Sequence, residues 1–236
     1  MRWAVAVGLA LAVTVTGWTD QEPWTEEAEA DLNGDGTVEQ IRLERLERRL
    51  GAFTLHVDGV SITDKLTENL AGLRVVDIDG WDEYREIEVH TYGPSDDPAA
   101  WYFWYNGTEL HRMGKVGGST AIGPGGSVYG SAWMGFWSRT SVYRLNRETH
   151  RLEQQPRDFH LVDLTVAVRS GHPIYRTRKL EMAAGQMQPG SEVTIVACDC
   201  RGDYGEWRYL VVLPDDTTGW LSDDQIVRNL EVSLAD

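Results

Sequence analysis

Two acidic turns, each followed by a segment that doubles back on itself, constrain this chain more than any other feature. Residues 31–39 read DLNGDGTVE, and about 46 residues later 77–86 read DIDGWDEYRE. FTLHVDGVSI (53–62) follows the first and WYFWYNGTEL (101–110) the second. Residues of strand propensity flank Asp58-Gly59 in one and Asn106-Gly107 in the other, dipeptides that supply the positive φ of tight hairpin turns. A third hairpin signal, SVYRLNRETHRL (141–152), has no acidic turn ahead of it. The chain therefore reads as about three β-units between residues 31 and 158, an all-β beginning.

In the first acidic turn, oxygen side chains fall at positions one, three, five and nine. Asp31, Asn33, Asp35 and Glu39 supply them, with a backbone carbonyl at Thr37 and a sharp turn at Gly36. Hard cations such as Ca²⁺ take about 6–8 oxygen ligands, and a loop with ligands on alternate residues can wrap one ion. An EF-hand is not expected, because its twelfth position, where a bidentate Glu is required, is Arg42. Leu43, Leu46 and Leu50 leave helix and strand both open for the exit segment. The second turn needs one extra residue to bring Asp77, Asp79, Asp82 and Glu86 into equivalent positions. Both turns are also compatible with plain Asx turns that bind nothing.

These loops resemble those of FG-GAP and VCBS-type repeats, and Tyr92-Gly-Pro-Ser95 followed by an aromatic hairpin is similar to the same repeats. The resemblance implies blade-like β-units in a secreted bacterial protein and carries no activity with it. Three units are too few for a propeller, which takes 4–8 blades.

The last third changes character. TVAVRSG (165–171), QPGSEVTIV (188–196), EWRYLVV (206–212) and TGWLSDDQI (218–226) follow in an order that resembles a bacterial Src-homology-3-like domain. The resemblance implies a small β-barrel at 160–230 that docks cell-wall peptides or braces a neighbour, with Trp207 and Trp220 as a candidate ligand surface. Proteolysis is expected to release it as a stable fragment.

A formal net charge of −15 argues against nucleic acid or an anionic membrane as partner. The N-terminal run after Arg2 is short for a membrane span of about 20 residues and suits a signal peptide at 1–19. Residues 20–30 read as an acidic, flexible lead-in. No other stretch is expected to cross a membrane. The glycine-rich segment 117–127 lacks a phosphate-binding pattern and reads as a loop. Cys198 and Cys200, the only cysteines, sit near the upper limit of bridging distance on a strand, which leaves a strained disulfide and two free thiols both open.

No His pair with metal spacing and no nucleophile elbow occurs in the chain. Arg201-Gly-Asp203 reads as a turn rather than an adhesion tripeptide. The expectation is a non-catalytic, calcium-binding module of the cell exterior or envelope, contacting cell-wall peptide, polysaccharide or another envelope protein. Its contact surface should be aromatic, with no concave pocket lined by carboxylates. The alternative is a hydrolase or enzyme accessory acting on cell-wall or extracellular polysaccharide.

Overall fold

The computed structural model describes residues 24–46, 51–66, 69–93, 98–200 and 206–233. The signal-peptide segment and the Arg201-Gly-Asp203 tripeptide lie outside these. Four antiparallel sheets account for nearly all regular structure, and one short helix is present among the described residues.

The first sheet holds β1 (Glu27–Ala30), β2 (Glu39–Arg45), β3 (Ala52–Val57) and β4 (Val60–Lys65), paired in chain order. The second, also in chain order, holds β5 (Asn69–Val76), β6 (Glu86–Tyr92), β7 (Ala99–Tyr105) and β8 (Leu110–Gly117). The third holds β9 (Ser119–Gly123), β10 (Ser127–Trp133), β11 (Ser138–Asn146) and β12 (Arg151–Gln154). Such meanders need only short local connections, which is what the recurring turn dipeptides offered. Asp58 and Gly59 both take positive φ between the paired residues Val57 and Val60, making the expected two-residue hairpin. The Asn106-Gly107 connection is longer. Tyr105 pairs with Leu110, and Asn106 Oδ1 accepts from Thr108 N, Thr108 Oγ1 and Glu109 N, so the Asn side chain organises four residues instead of two.

Two expectations are corrected and one open alternative is resolved. The lead-in is not featureless: Glu27–Ala30 pairs with β2, because the alternation Glu-Ala-Glu-Ala turns Ala30 onto the first core while the glutamates face outward. The exit from the first acidic turn is a strand, with Glu39, Ile41 and Leu43 buried and the residues between them exposed. The glycine-rich segment is a strand with a tight turn. A side chain at Gly123 would collide with the Tyr129 ring and one at Gly118 with the Ser131 carbonyl, so glycine here allows close strand approach.

Period-two alternation places the second sheet between two cores. Ile87, Val89 and Phe103 face the first sheet and meet Ile41, Phe53, Leu55 and Val57, with Phe53 edge-on to Phe103 at 6.0 Å. Tyr102, Ala100 and Met113 face the third sheet and pack with Val116, Val128 and Leu152. Each fully buried Phe or Leu side chain contributes about 1.5–3 kcal/mol.

The fourth sheet runs β13-β16-β17-β18-β14-β15. Its strands are β13 (His160–Ala167), β14 (Pro173–Tyr175), β15 (Ala183–Gln186), β16 (Glu192–Asp199), β17 (Arg208–Val212) and β18 (Thr218–Ser222). Helix α1 (Asp223–Asn229) starts on a reciprocal cap between Ser222 and Gln225, and beyond it Leu230 bridges back to Val168. The core of this sheet includes three residues of the β10–β11 turn: Met134, Phe136 and Trp137. Trp137 Nε1 donates to the Tyr209 hydroxyl at 3.4 Å.

Candidate metal loops

The first acidic turn joins β1 to β2, and its side chains organise its own backbone. Asp31 Oδ1 and Oδ2 accept from Gly34 N and Gly36 N, Asn33 Oδ1 from Asp35 N, and Asp35 Oδ1 from Thr37 N. Hydrogen bonds from the Thr37 backbone and hydroxyl hold the exposed Asp35 carboxyl below its ordinary range. Glu39 differs from the others. It is buried at the start of β2, and its Oε2 accepts from Leu32 N at 2.7 Å.

The second turn, between β5 and β6, repeats this design with one added residue. Glu86 is buried at the start of β6 and its Oε2 accepts from Ile78 N at 2.9 Å. Leu32 and Ile78, each following the first Asp of its turn, are both buried. Burial first, then the nearby charges of Asp82 and Asp77, push the Glu86 carboxyl up to about 8. Burial likewise raises Asp82, whose Oδ1 accepts from Tyr84 N. Asp79 is the exception. Its carboxylate is buried and held from both oxygens by Arg147, reaching over from the β11–β12 turn at 2.5 and 2.9 Å. An internal cation already serves that residue.

The turns interlock. Arg85 N donates to Leu32 O, the face of Gly34 lies against the Glu83 side chain, and that of Gly107 against the Asn33 amide. Beside them Trp104 is stacked between His150 (3.9 Å) and His111 (5.2 Å), with Tyr84 edge-on. Trp81, at the tip of the second turn, is 86% exposed.

Hard oxygen donors on alternate residues suit Ca²⁺ in type and spacing. Their convergence is incomplete. Asp79 is paired to Arg147, Glu39 and Glu86 each hold a backbone N–H, and among the described residues no three His, Cys, Asp or Glu side chains form a metal-holding group.

The candidate ligand surface is half corrected. Trp207 is only 8% exposed and belongs to the core of the fourth sheet, because the strand it introduces turns that side inward. Trp220 is half-buried, with the partly exposed Phe159 ring 6.0 Å away and the Arg178 guanidinium over its face. The surface also carries an open hollow of mixed charge. An open groove of about 600 Å³ between β1 and β5 is lined by Glu27, Glu29 and Asp77 together with Arg74 and Arg85. At one end of it Thr25, just ahead of β1, bridges to Leu73 of β5.

A buried polar seam was not foreseen. Glu88 and His90 share the face of β6 that meets the third sheet. Glu88 Oε2 accepts from Arg74 Nε and Nη2, its Oε1 from Thr120 Oγ1, and His90 Nδ1 lies 3.2 Å from Oε1. Trp24 stacks on His90 at 4.4 Å and lies under the Arg74 guanidinium. The signal was present in Glu-Ile-Glu-Val-His (86–90), whose alternation reads as one solvent face unless the strand lies between two sheets.

Neither family models, curated proteins nor solved structures yield a match to this chain.

Proposed function

We propose that this chain is a secreted or envelope-associated, calcium-binding and non-catalytic module, with blade-like β-units of FG-GAP or VCBS type followed by a Src-homology-3-like domain. The observation that carries it is the repeated loop design. In both turns a buried Glu at the start of the next strand ties down the residue after the first Asp, while Asp35 in the first turn and Asp77 and Asp82 in the second stay exposed at the surface. Asp31, Asn33, Asp35, Thr37 and Glu39 would hold the ion, with Asp77, Asp82 and Glu86 as the weaker second set. The strand order of the fourth sheet and the Val168–Leu230 bridge support the Src-homology-3-like reading. The half-buried ring of Trp220, beside Phe159, serves as its contact surface for cell-wall peptide, polysaccharide or an envelope protein. No helix of the described residues is long and apolar enough to cross a membrane.

Calorimetric titration with Ca²⁺ tests the metal. Wild type should release heat and gain thermal stability, by about 2.7 kcal/mol at a hundredfold excess over Kd, and Asp35→Ala should lose most of both. No heat and no response to chelator would leave plain Asx turns. Pull-down on peptidoglycan and polysaccharides, compared with Trp220→Ala, tests the contact surface.

The groove of mixed charge favours a second reading, a hydrolase or enzyme accessory acting on extracellular polysaccharide. Turnover of such a glycan, abolished by substituting Glu27, Glu29 or Asp77 alone, would establish it against the first.

A further inference from the structure

The end of β16 carries Cys198, and Cys200 follows just beyond the strand. Cys198 and Cys200 are free thiols with their sulfurs 3.0 Å apart. They differ in surroundings. Cys198 is fully buried in the core of the fourth sheet, and Cys200 is half-buried at its margin. The guanidinium of Arg139, reaching over from β11 with its Nε buried and without a hydrogen-bond partner, lies beside Cys200. His160 pairs with Cys198 across the β13–β16 ladder.

From this geometry we infer that Cys198 and Cys200 are a redox-active dithiol that exchanges with small-molecule disulfides, Cys200 attacking and Cys198 resolving. The two roles follow from access and charge. A thiolate is the attacking species, and positive neighbours favour it. The hydrogen bond shared by the two sulfurs and then the charge of Arg139 hold the Cys200 thiol low, whereas the same hydrogen bond and burial push Cys198 up. Cys200 thiolate attacks one sulfur of an external disulfide RS–SR, forming the mixed disulfide and expelling RS⁻. The Cys198 thiol then attacks the Cys200 sulfur and hands its proton to the departing group, which leaves as RSH. Two thiols are oxidised to one disulfide and one external disulfide is reduced to two thiols.

At strand spacing carried one residue past β16, Cα atoms two residues apart lie about 6.6 Å apart, toward the long end of the bridging range. A bridge made there sits at the margin of that range, and disulfides with marginal geometry or exposure are the exchangeable ones. The pair is therefore a reversible modification site rather than a permanent staple.

The test uses the full chain as it is. Folded wild type is incubated with oxidised glutathione, then alkylated and weighed. The inference expects both thiols to disappear with no adduct retained, and to return on adding reduced glutathione. Cys198→Ser should accumulate one glutathione on Cys200, and Cys200→Ser should react at least about tenfold more slowly. Arg139→Gln should move the pH midpoint of Cys200 alkylation upward. Thiols that both stay alkylatable, bridges only between chains, or Cys200→Ser reacting as fast as Cys198→Ser would each overturn it. The wild-type measurement decides the matter even if a variant does not fold.

Discussion

Glu88 occupies a position that would ordinarily hold an apolar side chain, and its burial is tolerated only because every partner is in place. Burial alone would raise its pKa. The hydrogen bond from His90, the charge of Arg74 and the Thr120 hydroxyl outweigh that and hold the carboxyl below its ordinary range. Glu88→Gln removes the charge and leaves Arg74 buried without its counter-ion, for which the expected loss is about 3–5 kcal/mol in urea unfolding. The pH dependence follows from the sign of the shift. A depressed folded value means stabilisation present above the unfolded carboxylate value of about 4.3, and lost as pH falls through the folded one. Unfolding midpoints from pH 7 to 2 should show this acid limb in wild type and a smaller one in Glu88→Gln. If the two profiles are parallel, Glu88 is not the group responsible. At the same scale, Gly34→Ala should weaken the contact between the acidic turns. Its φ is +73°, and the added Cβ would stand 2.6 Å from that of Glu83. Under the proposed calcium-binding reading, Ca²⁺ titration of Gly34→Ala should show weaker binding than wild type.

Among the elements, the strands with strong alternation or aromatic runs were legible from residue pattern alone. β3, β4, β7 and β11 lie where hairpin signals predict them, because one face of each is apolar and a turn residue marks the end. β1 and β9 were not. Ala28, Ala30 and the glycines of 117–126 are too small to register as a hydrophobic face, and their role is to let neighbours approach. The acidic turns were legible as loops and as paired units, down to the extra residue that aligns Glu86 with Glu39. What spacing along the chain could not convey was partnership across it: Arg147 on Asp79, Thr120 on Glu88, Trp207 turned inward. Each depends on which sheet covers which. The β7–β8 connection gives a test at this level. Asn106→Ala removes the acceptor of three hydrogen bonds, and a loss of about 1–2 kcal/mol is expected. An unchanged thermal midpoint would mean that the four-residue turn holds without its side-chain acceptor.

For the whole molecule, the residues before and after 158, where residue pattern predicts a boundary, are joined by packing though not by any strand. Phe136 and Trp137 fill the core of the fourth sheet against Tyr209. A protease that cuts at 155–159 should therefore leave two pieces that co-elute on gel filtration and separate only in denaturant. Trp137→Ala should cost about 3–5 kcal/mol and let the nicked halves part without denaturant. Independent elution of the wild-type halves would instead support the freely released fragment expected from residue pattern.

The order of synthesis gives that aromatic hook a further meaning. The first three sheets are local meanders, so each can close soon after its own strands leave the ribosome. Phe136 and Trp137 emerge with the third sheet, yet the strands that receive them come last. Until β16, β17 and β18 have been made, a nearly finished chain displays two large aromatic rings with nothing to cover them, the kind of transient surface that draws chaperones or aggregation. A nascent chain stalled before the fourth sheet should be the sticky form of this protein, and completing the last strands is what conceals it.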